Sequence, residues 1–268
     1  MRLVASDLDG TIVRRDGTIG DRTLAVLAAC ESRGVDVLFV TGRPPRWMPP
    51  IAAATGHHGL AVCGNGAIVY DLGTERVVRA RALAPDVVLT VVTVLREALP
   101  GSVFALETTT GIRREVAFLP KHPDALLARI GEIPALLDDG PIVAKVLCVV
   151  EGLTADPMLE IARTALAGIA EPVHSDSAGA MIEISALGVS KASTLASLAA
   201  GRGIDPSHVV AFGDMPNDVP MLRWAGRGYA MADGHAEAIA AADGVAPPCA
   251  EDGVAQVLEA LLAGRPPA

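Results

Sequence analysis

The sequence predicts an α/β protein, an open, doubly wound parallel sheet interrupted by an inserted α+β domain. Three observations lead there. Short apolar runs alternate with Ala/Leu-rich segments at both ends of the chain, the rhythm of βαβ units. Runs such as VDVLFV (35–40) are apolar throughout, as in parallel strands covered on both faces. Between Pro85 and Ala186, strands instead follow strands across short turns, which favours antiparallel pairing. The expected division is a core of residues 1–84 and 187–268 and an inserted domain of residues 85–186.

Each element has its own signal. Leu3 to Ser6 reads as a strand. Asp21 to Arg33 reads as a helix with Leu24, Leu27 and Ala28 on one face and Gly34 ending it. After the strand at 35–40 comes a loop with four prolines, TGRPPRWMPP. GLAVCGNGAIVYD and ERVVRARAL read as short strands around Gly-rich turns. In the middle, helices are expected over 86–99, 123–137 and 157–169, and strands over 103–107, 114–119, 142–150, 171–176 and 180–186. Thr110-Gly111 and Ala178-Gly179 supply turns. The βαβ rhythm then returns. A helix opens at Ser190, a plausible N-cap, followed by the strand HVVAFGD, the short helix VPMLRWAG, the strand GYAMA and the closing helix GVAQVLEALLAG.

Composition narrows the function classes. With 268 residues, 51% of them hydrophobic, the chain can bury a substantial core, but aromatics are only 3%, so Ala, Val and Leu must fill it. A formal charge of -9 and no Lys/Arg cluster argue against a nucleic-acid partner. The four cysteines, Cys30, Cys63, Cys148 and Cys249, form no CxxC pair and read as buried reduced thiols. No signal peptide and no membrane-spanning run is read, so a soluble, cytoplasmic protein is expected, with no membrane partner.

Three strands of the expected parallel sheet stop at polar residues: RLVAS at Asp7, VDVLFV at Thr41-Gly42-Arg43 and HVVAFG at Asp214. The C-terminal ends of parallel strands share one edge, where ligand sites of open α/β sheets form. Crowded carboxylates need a cation or a proton. Oxygen donors without nearby His or Cys suit a hard cation, Mg²⁺ before Zn²⁺. Asp9, two residues after Asp7, would share its face in an extended chain. Lys191, at the first position of a helix, is locally unfavourable against the macrodipole, but there it could join the helix amides in holding a phosphate.

DLDGT after a strand, TGR ending the next, GVSK opening a late helix and FGDMPND after a further strand resemble the four motifs of the haloacid dehalogenase superfamily. Their order and spacing look like its Cof-type phosphatases. The resemblance covers nearly the whole chain and implies a Rossmann-like core with an inserted α+β cap domain. It implies an Mg²⁺-dependent phosphatase of small phosphorylated metabolites. In that reading Asp7 is the nucleophile, forming an aspartyl-phosphate, and Asp9 the general acid and then base. The metal would be held by the Asp7 carboxylate, the Asp9 main-chain carbonyl and Asp214, with Asn217 and Asp218 orienting its surroundings. Thr41, Gly42 and Lys191 would hold phosphoryl oxygens, with the Leu8 amide assisting. The runner-up is a phosphomutase of the same superfamily, and a receiver-like phosphoacceptor is a more distant third.

One departure is MADGHAEA, where the family often shows Gly-Asn-Ala. Arg43 and Lys145 are candidate substrate contacts; a salt bridge for Arg43 and a snorkelling edge position for Lys145 are the plainer readings. His57-His58, with no third ligand at metal spacing, is expected to be a solvent-exposed loop pair. Glu107, Arg113, Arg114 and Glu115 lie near a strand turn.

Overall fold

The computed structural model describes residues 1–119, 127–175 and 180–266. The first stretch holds β1 (Leu3–Ser6), α1 (Asp21–Ser32), β2 (Asp36–Val40), α2 (Pro49–Thr55), β3 (Leu60–Cys63), β4 (Ile68–Asp71) and β5 (Arg76–Ala80). The middle holds α3 (Pro85–Ala98), β6 (Val103–Thr108), β7 (Gly111–Arg114), β8 (Arg129–Ile130), α4 (Ile133–Leu137), β9 (Val143–Val149), α5 (Ala155–Ala165), β10 (Ala170–Val173) and β11 (Met181–Ala186). The last holds α6 (Lys191–Gly201), β12 (Val209–Gly213), α7 (Val219–Trp224), β13 (Arg227–Met231), α8 (Ala236–Ala241), β14 (Gly244–Ala246) and α9 (Gly253–Leu262).

Eight strands form the first sheet in the order β14-β13-β12-β1-β2-β3-β4-β5. From β14 to β3 every pairing is parallel; β4 and β5 extend that edge antiparallel. Alternate residues of β1 explain why both faces are covered. Val4 packs with Phe39, Phe212 and residues of α1 and α9, whereas Leu3 and Ala5 pack with Leu195 of α6 and Met221 of α7. Strand β1 lies between β12 and β2, with Ser6 opposite both Phe212 and Phe39. Asp7, Thr41 and Asp214 therefore leave the sheet at one edge, as their strand ends predict.

Six strands form the second sheet, ordered β10-β11-β9-β6-β7-β8 and antiparallel except for β7 with β8. One face is apolar: Phe104, Leu106, Val146, Cys148, Ile182 and Ile184 pack against α3 and α5. The opposite face carries Glu107, Lys145 and Glu183 as well as a small cluster of Ala105, Leu147 and Phe118. That polar face meets the loops at the edge of the first sheet. Lys145 Nζ donates to the Gly42 carbonyl at 2.8 Å and to Glu183 Oε2 at 2.8 Å. Asn65, between β3 and β4, donates its side-chain amide to the same Glu183 oxygen, and Ser175 donates to the other at 3.0 Å. Arg46 pairs with Glu107 across the same boundary.

Two expected elements take other forms. The strand anticipated over 114–119 ends at Arg114. Arg114 donates to the carbonyls of Glu115, Val116 and Phe118, which curls the chain out of the ladder. The helix anticipated over 123–137 is replaced, within its described part, by β8 and the short α4, with Gly131 between them and Pro134 in the first turn of α4. The apolar period there comes from two short elements, not one helix. The remainder of that helix and the turn at Ala178-Gly179 lie outside the described residues. Ser190 caps α6 as anticipated, accepting from the Ser193 amide at 3.1 Å. Lys145 is a further correction. It is 4% exposed on β9, an interior strand, so it neither lies at an edge nor reaches solvent.

Glu183 gives the contact between the sheets a pH dependence. Burial alone would raise its pKa, but the Lys145 ammonium and three hydrogen bonds outweigh burial and hold it below the ordinary 4.5. A depressed folded-state pKa contributes stability above the unfolded value and loses it as pH falls through the folded one. Glu183→Gln is expected to lower stability at neutral pH, by leaving Lys145 poorly paired, and to flatten the fall in Tm from about pH 5 to pH 3. Calorimetric melting across that range measures both effects. Phe104→Ala, at a fully buried position, is expected to cost about 3–5 kcal/mol in urea unfolding.

Candidate active site

The acidic turn after β1 separates its two carboxylates. The Leu8 carbonyl accepts from the amides of Thr11, Ile12 and Val13, so the chain bends directly after the strand. Gly10 takes φ +79° within this turn, and a Cβ there would lie 2.3 Å from Asp214 Oδ2. Asp7 stays buried at 5% exposure, whereas the side chain of Asp9 is 56% exposed. The two acids have different surroundings because strand pairing ends at Ser6 and the chain turns at Leu8.

Lys191 sits at the start of α6 with 1% exposure. Its ammonium donates to Asp7 Oδ1 at 2.6 Å and to Asp218 Oδ1 at 2.6 Å. This double pairing offsets the unfavourable helix dipole. Burial opposes the charge on Lys191, but the Asp218 and Asp7 carboxylates outweigh it and raise its pKa. The other oxygen of Asp218 accepts from the amides of Asp214 and Met215, at 3.1 and 3.0 Å. Both Asp218 oxygens are thus engaged in holding Lys191 and the turn after β12.

Asp214 accepts from the Thr11 hydroxyl at 3.1 Å. Carboxylate oxygens of Asp7, Asp214 and Asp218 all lie within 4.8 Å of one another. Three acids therefore face one ammonium. Burial first, and then the neighbouring carboxylates, push the pKa values of Asp7 and Asp214 upward against Lys191. Such a cluster favours a further positive charge, and its all-oxygen donor set can hold a hard metal ion. The Asp9 side chain stands apart from it. Arg43 Nε donates to Asp9 Oδ2 at 2.7 Å and Arg43 Nη2 to Oδ1 at 2.5 Å, a bidentate pair. The salt-bridge reading of Arg43 is what the structure contains.

Thr41 is buried, and its hydroxyl accepts the Arg43 amide at 3.1 Å. Asn217 donates to Asn65 Oδ1 at 3.1 Å, while its own buried Oδ1 has no partner among the described residues. Asn65 and Glu183 were not singled out from the sequence. Asn65 adopts φ 56° in the turn GNG between two apolar strands, and Glu183 interrupts the apolar strand MIEIS. A charged residue inside each of two apolar strands, Lys145 and Glu183, was the available signal.

Other titratable groups do not join this site. His57 is buried, not exposed as expected. It pairs through Nδ1 with Glu31 at 2.6 Å and meets the Phe39 ring edge-on at 5.1 Å, and only His58 faces solvent. Asp156, His174 and His235 cluster between α5, the end of β10 and the start of α8. His235 Nδ1 accepts the Glu237 amide at 3.1 Å, which leaves the ring proton on Nε2, 3.4 Å from Asp156. His174 Nε2 also lies 2.7 Å from Asp156, so the cluster ties α5 to the end of β10 and the start of α8. All four cysteines are buried free thiols, as anticipated, and burial raises Cys63 and Cys148 to about 12. Among the described residues, no helix is long and apolar enough to cross a membrane.

Comparison with known proteins agrees with this architecture. The family model of the haloacid dehalogenase-like hydrolases matches residues 4–258. The 5-amino-6-(5-phospho-D-ribitylamino)uracil phosphatase of Bacillus subtilis is 27% identical over 258 residues, covering 96% of this chain and 94% of that protein. The HMP-PP phosphatase of Enterobacter sp. strain 638 is 28% identical over 245 residues, covering 89% and 87%. The crystal structure of a haloacid dehalogenase-like hydrolase from Bacteroides thetaiotaomicron superposes with a TM-score of 0.75 at 26% identity, covering 97% of this chain and 99% of that one. With a fold that superposes on that hydrolase over nearly its whole length and a family match over residues 4–258, the chain belongs to the haloacid dehalogenase-like hydrolases.

Proposed function

We propose that the protein is a Mg²⁺-dependent phosphatase that hydrolyses small phosphate monoesters through an aspartyl-phosphate on Asp7. The observation that carries this reading is the buried Asp7 carboxylate joined to Lys191 beside Asp214 and Asp218 at one sheet edge. Phosphoryl transfer depends mostly on positioning and charge neutralisation, and this edge supplies the protein's part of both. The Asp7 carboxylate and Asp214 would hold the metal, with the Asp9 main-chain carbonyl, and Asn217 and Asp218 would order its surroundings. When bound, Mg²⁺ supplies the positive charge that lets an anionic nucleophile approach an anionic phosphate.

The side chains divide the remaining work. An Asp7 oxygen attacks phosphorus, the ester bond breaks, and the phosphoryl group passes to Asp7. Lys191 and Thr41 hold phosphoryl oxygens, assisted by the amides of Gly42 and Leu8. Asp9 gives a proton to the leaving oxygen, then takes one from the water that cleaves the aspartyl-phosphate. In the structure both Asp9 oxygens accept from Arg43, so Asp9 leaves Arg43 and takes up a proton from solvent before it acts as an acid. Transfer of Arg43 to the substrate would free it, which gives Arg43 the substrate contact proposed from the sequence.

Residues 1–84 and 187–268 constitute the catalytic core in this reading, and residues 85–186 a cap that sets specificity and excludes water. The curated relatives act on different phosphorylated metabolites, so the substrate here is a small phosphomonoester to be identified by a phosphate-release panel. Free phosphate, without an isomerised sugar phosphate, separates hydrolysis from mutase chemistry. Asp7→Asn is expected to lower phosphate release by roughly 10³-fold or more; near-wild-type turnover would remove Asp7 as nucleophile. EDTA is expected to abolish release and added Mg²⁺ to restore it, as read by a colorimetric phosphate assay. Full activity in the chelator would contradict the metal requirement.

A further inference from the structure

We infer that Lys145, held by Glu183 and Asn65, positions the Thr41 hydroxyl for phosphate, so that the phosphate loop of the first sheet is completed by the second. The inference rests on the phosphatase reading and deepens it. It concerns one peptide group, the unit joining Gly42 to Arg43.

That peptide is fixed at both ends. Its carbonyl, Gly42 O, accepts from Lys145 Nζ at 2.8 Å. Its N–H, on Arg43, donates to Thr41 Oγ1 at 3.1 Å. A hydroxyl that accepts from a fixed amide has its orientation restricted. Among the described residues the Thr41 hydroxyl hydrogen has no acceptor, so it is left to donate to a phosphoryl oxygen. Rotation of the peptide would move the amide off Thr41, and Lys145 opposes that rotation with a charge-assisted hydrogen bond.

Lys145 is itself locked. Glu183 Oε2 accepts from it at 2.8 Å, and Asn65 and Ser175 occupy the remaining Glu183 positions. Asn65 in turn receives Asn217, from the turn that carries Asp214 and Asp218. The two sheets approach closely here: a Cβ on Gly42 would lie 3.0 Å from Asn65 Oδ1 and 3.7 Å from Glu183 Oε2. Lys145 and Glu183 are 4% exposed each, which fits a buried positioning device better than a solvent-facing specificity contact. Seating of the second sheet is thereby coupled to order in the phosphate loop.

A double-mutant cycle between Thr41 and Lys145 tests this, read by competitive inhibition with inorganic phosphate and by calorimetric binding of inorganic phosphate. Lys145 is removed together with its counter-charge, as Lys145→Met/Glu183→Gln, to avoid an orphaned buried carboxylate, and melting verifies the fold. This pair is expected to weaken phosphate binding about ten-fold, the loss of one hydrogen bond to a charged group. Thr41→Val is expected to do the same, and the combination to lose little more than either. Lys145→Arg, which keeps the donor, is expected to recover part of the loss. Additive losses, or unchanged phosphate binding with a KM rise that varies with the leaving group, would overturn the inference and make Lys145 a direct substrate contact. A folded wild type that neither binds nor releases phosphate would overturn the phosphatase reading, and this inference with it.

Discussion

The Lys191 ammonium between Asp7 and Asp218 is the interaction on which the remaining arrangement depends. A buried ammonium is costly alone, and so is each buried carboxylate. Together they neutralise one another only in part, since one ammonium faces two carboxylates and Asp214 adds a third acid to the same edge. The two Asp218 oxygens are shared between Lys191 and the amides of Asp214 and Met215. One carboxylate therefore fixes both the cation and the loop that presents Asp214. The same edge requires Gly10, since any side chain there would strike Asp214. A motif read as DLDGT thus needs its glycine for a residue about two hundred positions later.

The second sheet follows a different physical logic on each face. Its helix-covered face is apolar and self-sufficient. Its other face places Glu107, Lys145 and Glu183 against Arg46, Gly42 and Asn65. Buried ion pairs seldom stabilise more than a well-packed apolar contact would, but they demand one geometry. A boundary made of charge pairs and hydrogen bonds resists sliding into neighbouring registers, whereas an apolar boundary would tolerate them. The loops carrying Thr41 and Asn65 are in this way registered against strands about a hundred residues away in sequence.

The chemistry of the strand ends was legible because each piece is contiguous. Asp7, Thr41 and Asp214 each follow an apolar strand, and parallel pairing alone carries them to one edge. Lys191 was legible from a serine cap and a position that a lysine would otherwise avoid. The contact between the sheets was not legible. Asn65, Lys145 and Glu183 come from three separate segments, and a lysine in an apolar run reads as an edge residue unless its partner strand is known. His57 was misread for a related reason, since its partner Glu31 lies on α1 and Phe39 on β2. The loss of the 114–119 strand has a local cause. Arg114 satisfies three carbonyls of the following loop, and no periodicity in apolar residues encodes that.

Asp7 and Asp9 show how one short turn produces two chemically different acids. Had the strand continued, both carboxylates would occupy similar surroundings and compete for the same cation. The bend at Leu8 buries one against Lys191 and leaves the other in solvent under a bidentate arginine. Separated environments are what allow two like groups to take different parts in proton and phosphoryl transfer. Arg43 belongs to the same loop as Thr41, and its amide and its guanidinium have different partners: the amide orients Thr41, and the guanidinium holds Asp9. A substrate that draws the guanidinium away can free Asp9 without disturbing the amide, provided the Gly42–Arg43 peptide stays fixed. Lys145, bonded to the carbonyl of that peptide, is the group placed to keep it so.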